Sequence, residues 1–197
     1  MAIYSWPESV ASIPTNQNLI VIGVHTPPTT LRAQARKLIR IALKQVLATK
    51  LAYPVAEIKL STQAGQGLKL LQPKQPIGLS VSHEPGLSLA AINMNGRVGI
   101  DLIDIKTIPN NSEIDALAND YLGVKTADYL FNLPPEQQSI AFAEAWTEFE
   151  AQLKYQEKNL NERNSSNGLH TNNLITRHLK LPKGYIGTVV FSDSFNI

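Results

Sequence analysis

The run Arg97 to Ile105 constrains this chain more than any other stretch. It alternates as a strand does, sending Val98, Ile100 and Leu102 to one face and Gly99, Asp101 and Ile103 to the other. A carboxylate at Asp101 in a strand otherwise fit for burial costs on the order of several kcal/mol unless a cation or a hydrogen-bond donor meets it. Any fold for this chain must therefore bring Asp101 a partner.

Short apolar runs and helical periods share the rest of the sequence. Asn18 to His25 is β-branched and closed by Pro27-Pro28, which predicts a buried strand entering a turn. From Leu31 to Lys50 the residues Leu31, Leu38, Ile39, Ala42 and Val46 recur at helical spacing, with Thr29 or Thr30 as the expected N-cap and a basic opposite face. Strands are expected over Ala56–Ser61 and Ile77–Ser82. The Glu84-Pro85-Gly86 turn then leads into a third, Leu87–Asn93, and Asn95-Gly96 makes another tight turn. A weak helical stretch covers Ser112–Leu122, and a long helix is expected from Pro135 to Asn159, started by Pro134-Pro135. On it Trp146, Glu150 and Lys154 share one stripe, flanked by Phe142, Phe149 and Leu153 on the side that should pack. Leu160–Asn173, rich in Asn and Ser, reads as a mobile surface loop, and Tyr185–Phe191 as a final strand. No internal repeat is evident in the sequence.

At 197 residues the chain can bury a sizeable core without staples. The absence of cysteine excludes thiolate nucleophiles, zinc fingers, iron–sulfur clusters and disulfides, so any metal must be held by oxygen or imidazole. Lys and Arg number 18 against 16 Asp and Glu, a formal charge of +2 that argues against a polyanion-coating role. No basic stretch followed by an apolar run opens the sequence, and no segment has the apolar length of a membrane span. A soluble, cytoplasmic protein without a membrane partner is the expectation.

Four features bear on chemistry: the stripe Arg32, Arg36, Arg40 and Lys44; the pair Ser82-His83 at a strand end; Asp101; and Glu150 with Lys154. Each has an ordinary explanation. The stripe is a solvated helix face, His83 a loop histidine, and Glu150 with Lys154 a surface ion pair worth about 0.2 to 0.5 kcal/mol. Together they describe a site for a phosphorylated ligand and a hard divalent cation. Two carboxylates hold Mg²⁺ through a few oxygens, water and ligand phosphate fill the rest, and Arg, His and Lys clamp phosphate. Nucleic-acid binding through the stripe is disfavoured because no aromatic stacking residues are interleaved with it.

The blocks SVSHEPGLSLAAIN, VGIDLID and FAEAWTEFEAQLKY, in this order and at these separations, resemble the three core motifs of the 4′-phosphopantetheinyl transferase superfamily, the surfactin-synthetase-activating type of holo-acyl-carrier-protein synthase. LRAQARKLIRIAL and AEIKLSTQ look like the family's first helix and following strand, so the resemblance spans residues 19 to 158. It implies an α+β fold of two similar α/β halves, here 1–95 and 96–197, related by pseudo-twofold symmetry around a cleft for CoA. It also implies Mg²⁺-dependent transfer of the phosphopantetheine arm to a serine of an apo acyl or peptidyl carrier protein, by a monomer, releasing 3′,5′-adenosine bisphosphate. Carried over residue by residue, Asp101 and Glu150 match the metal-binding Asp and Glu, with Glu150 also the base. Lys154 matches the lysine that contacts the CoA phosphates during catalysis. His83 and Arg32 match the residues at the 3′-phosphate end, and Trp146 positions its helix.

The sequence also departs from the family pattern. The second acid of the strand motif is Ile103, while Asp104 should point to the opposite face. The lysine ahead of the helix glutamate is Phe149, the Gly-Lys-Pro segment is at best Gly67-Leu68-Lys69, and the usually basic segment before the first helix is only Thr26–Thr30. Two lost site groups, at about 1.5 to 3 kcal/mol each as charged contacts, are enough to slow the chemistry a hundredfold. A degenerate relative that binds CoA or a carrier protein without transferring the arm is thus the alternative.

Overall fold

The computed structural model describes residues 1–61, 67–158, 160 and 174–192. The first strands are β1 (Ile3–Trp6) and β2 (Leu19–His25), followed by α1 (Arg32–Leu51). Two short strands, β3 (Lys59–Leu60) and β4 (Leu70–Gln72), lead to the hairpin β5 (Gly78–Glu84) and β6 (Leu87–Asn93). The chain continues through β7 (Val98–Asp104), α2 (Asn111–Leu117), α3 (Val124–Phe131), α4 (Pro135–Tyr155), β8 (Ile175–His178) and β9 (Tyr185–Phe191). This is a mixed α and β fold, and no helix among the described residues is long and apolar enough to cross a membrane.

Strands β1-β2-β6-β5 form one sheet, antiparallel except for the β1–β2 pair, and β7-β9-β8 form a second, antiparallel one. The two sheets share no strand and divide at the Asn95-Gly96 turn. Strand alternation sets the layers. Ile20, Ile22 and Val24 of β2 meet Ile39, Leu43, Val46 and Leu47 of α1, whereas Val21, Leu87, Leu89 and Ala91 face Val98, Ile100 and Leu102 of the second sheet. The first sheet therefore lies between α1 and the second sheet, and β6 is buried along its whole length. The far face of the second sheet is covered by α4, where the Thr147 and Thr188 hydroxyls meet at 2.9 Å. A third apolar cluster gathers Ile114, Leu122, Leu130 and Phe142 from α2 to α4.

The predicted strands at 18–25, 77–82, 87–93, 97–105 and 185–191 and both long helices are present to within a few residues. Several details differ. The N-cap of α1 is Leu31 and makes no side-chain cap, because Thr30 is taken up in a turn whose N–H donates to Pro27 O. Only Lys59–Leu60 of the expected 56–61 strand pairs as a strand. Val55–Glu57 form a 3₁₀ turn after Pro54, and β4 offers a partner of only three residues. Helix α4 ends at Tyr155 rather than Asn159, as Glu157 turns left-handed (φ 55°) and pairs with Lys69 at 2.8 Å. The 112–122 stretch splits into α2, started by an Asn110–Glu113 capping box, and a wider turn over Ala118–Leu122. Strands β1, β4 and β8 carry too little periodicity to be foreseen, and α3, although amphipathic, is only 8 residues long. The expected loop 160–173 falls, save Leu160, outside the described residues.

Candidate functional site

One end of β5, the middle of β7, the first half of α1 and the stripe of α4 converge on a cleft of about 770 Å³. Arg32, His83, Asp101, Glu150 and Lys154 all line it, together with Arg36, Arg40, Trp146 and Ile103. Local periodicity explains the convergence. Arginines four residues apart on α1 fall on one face, as do Trp146, Glu150 and Lys154 on α4, and Asp101 shares its strand face with Ile103.

Asp101 is buried at 5% exposure and has found the partners its position demands. The Lys154 ammonium lies 2.6 Å from its Oδ1, and the Ser82 hydroxyl donates to the same oxygen at 2.9 Å. Lys154 also donates to the carbonyls of Ile100 (3.1 Å) and Val81 (3.5 Å), tying α4 to β7 and β5. Its ion pair is thus with Asp101 and not with Glu150 one turn away, which replaces the surface-pair explanation.

The charges sort themselves along the cleft. Burial, and then the nearby Arg36, Arg32, Lys154 and Arg40, push the His83 imidazole down to about 4, so it is neutral at pH 7 with Nδ1 2.9 Å from Ser88 Oγ. Burial, reinforced by the charge on Asp101, raises the Glu150 carboxyl, and Lys154 only partly offsets this. Glu84 rises to about 7, chiefly through burial and then through Asp101 and Asp104. Glu84 joins the cleft lining as a residue the sequence motifs do not single out. Its two-residue spacing from Ser82 was the available signal, placing it on the same face of β5.

The remaining sequence-selected positions divide. Arg40 is anchored by a bond from Nη1 to Ser61 O at 2.7 Å, and Lys44 is not part of the cleft lining. Leu68 borders the cleft, but the Lys69 ammonium is engaged with Glu157. Phe149 packs in the third apolar cluster with its ring 6.1 Å from that of Trp146, which also stacks on Phe142 at 5.5 Å. Asp104 turns away to cap the 3₁₀ turn after β7, accepting from Lys106 N at 3.0 Å.

No group of three or more His, Asp or Glu side chains gathers as a ready metal cluster among the described residues. Asp101 and Glu150 nevertheless fit a hard divalent cation. They are oxygen donors from different elements on one cleft, and a cation between them would favour the ionised form of Glu150, whose carboxyl is raised first by burial and then by the charge on Asp101. With Arg32 and Arg36 close to neutral His83, the same cleft can hold a phosphate beside that cation. No family model and no curated protein matches this sequence.

Proposed function

We propose that this chain is a Mg²⁺-dependent, cytoplasmic 4′-phosphopantetheinyl transferase acting as a monomer on an acyl or peptidyl carrier protein. In this reading the halves 1–95 and 96–197 are the pseudo-symmetric units of that fold. The observation that carries it is that Arg32, His83, Asp101, Glu150 and Lys154, drawn from four separated elements, line a single cleft. Arg32 and His83 would hold the 3′-phosphate end of CoA, and Lys154 the pyrophosphate. The carrier serine oxygen attacks the β-phosphorus, the bond from that phosphorus to the bridging oxygen breaks, and 3′,5′-adenosine bisphosphate departs. Glu150, whose carboxyl is already raised, takes the serine proton. A Mg²⁺ ion held by Asp101 and Glu150 would neutralise charge on the leaving pyrophosphate oxygen.

The test is intact-protein mass spectrometry of apo carrier proteins incubated with CoA and Mg²⁺. A metal-dependent gain of one phosphopantetheine arm is expected, and no gain on any carrier would overturn transfer. A specific observation favours the second reading, binding without transfer: Ile103 lines the cleft where the family has an acid, and Phe149 is sequestered in an apolar cluster. CoA binding in calorimetry without any mass gain would select it.

A further inference from the structure

Strands β5 and β7 lie side by side but belong to different sheets, so no backbone ladder fixes one against the other. Two buried serines on one face of β5 span this seam. Ser80 Oγ accepts the N–H of Ile100 at 3.0 Å, and Ser82 Oγ donates to Asp101 Oδ1 at 2.9 Å. Ser80 thus holds the backbone beside Asp101, and Ser82 holds its side chain.

Both donors to Asp101, Ser82 and Lys154, reach the same oxygen. Oδ2 has no hydrogen-bond partner among the described residues and is left for the cleft. The two donors are not equivalent. Lys154 has a long flexible stem and a charge that an incoming phosphate would attract, whereas Ser82 has one short rotor fixed in a buried strand. Only Ser82 can keep the carboxylate in place while Lys154 is drawn to a ligand.

We propose that Ser82 is a positioning residue: it pins Oδ1 of Asp101 so that Oδ2 stays directed at a divalent cation while Lys154 exchanges between Asp101 and ligand phosphate. This inference rests on the metal-dependent reading above. Partners that orient a liganding group change metal affinity by about 10- to 100-fold when removed.

The experiment compares wild type, Ser82→Ala and Ser82→Thr, measuring Mn²⁺ affinity by calorimetry in the presence of inorganic phosphate. Phosphate affinity without metal and the thermal midpoint are recorded for each. We expect Ser82→Ala to lose about tenfold in Mn²⁺ affinity and Ser82→Thr, which keeps the hydroxyl, to stay within about threefold of wild type. Metal-free phosphate affinity should not separate the two variants, since a merely structural role would move it along with the midpoint. Should the alanine variant not fold, Ser82→Cys, close in volume but a weak donor, carries the same expectation. Equal Mn²⁺ affinity with and without the hydroxyl overturns the role of Ser82 alone. Wild type that binds no Mn²⁺ overturns the metal-dependent reading, and the inference with it.

Discussion

Gly99 of β7 lies directly against the main chain of Ala151 in α4, so close that a β-carbon at position 99 would overlap the Ala151 carbonyl oxygen. Glycine there lets the helix bearing Glu150 and Lys154 settle onto the strand bearing Asp101. Gly99→Ala must push α4 away, because the obstacle is backbone and not a flexible side chain. We expect a loss of about 3 kcal/mol in urea unfolding, together with weakened ligand binding.

Lys154→Met tests the ion pair. Asp101 keeps Ser82 but loses its counter-ion in a nearly closed setting. Removing one partner of a buried pair typically costs about 3 to 5 kcal/mol. Lys154 keeps 31% of its side chain exposed, so a smaller loss of about 2 kcal/mol is expected at pH 7. An unchanged urea midpoint would show that Asp101 does not depend on Lys154.

Glu84 gives stability a pH dependence of unusual sign. Its carboxyl sits at about 7 in the folded protein against an ordinary 4.5, so the neutral form is favoured by folding. That contribution is complete below pH 4.5 and is lost as pH rises to about 7. Glu84→Gln should therefore match wild type at pH 4.5 and exceed its thermal midpoint at pH 8. Parallel midpoint curves across this range would contradict the assignment.

His83 works in the opposite direction. Its folded value of about 4 lies below the ordinary 6.5, so its contribution is present above pH 6.5 and disappears as pH falls towards 4. Burial is the main cause and the charges of Arg36, Arg32, Lys154 and Arg40 add to it, so an anion among the arginines would offset the charge part of the shift and raise the imidazole partway. Phosphate binding at pH 5.5 should then take up protons, seen as a dependence of the binding enthalpy on buffer ionisation and absent in His83→Gln.

Ile103→Glu restores a carboxylate on the strand face that already carries Asp101 and lines the cleft. One further charged contact of about 1.5 kcal/mol corresponds to roughly tenfold in affinity. Under the proposed function Mg²⁺ should bind about tenfold more tightly to the variant, by calorimetry. Weaker or unchanged binding would show that the cation does not sit beside position 103.

Local structure is legible in the amino-acid sequence. Short apolar runs bounded by turns predict β2, β5, β6 and β9, the alternation of 97–105 predicts β7, and period 3.6 predicts α1 and α4, because side-chain direction follows from backbone geometry alone. The same rule places Arg32 with Arg36, and Glu150 with Lys154, on single faces. It also shows that Asp101 needs a partner. Short pieces such as β4 and β8 escape it, since a three- or four-residue strand is held by its neighbour and not by its own pattern. Which partner Asp101 takes depends on long-range packing. Glu150 is four residues from Lys154 in sequence and Asp101 is 53 away, yet the ammonium turns to Asp101. The reason is that Asp101 is more fully buried than Glu150, and an unpaired carboxylate costs more the deeper it lies. The close contact at Gly99 and the serine seam from β5 make that long-range pairing sterically possible.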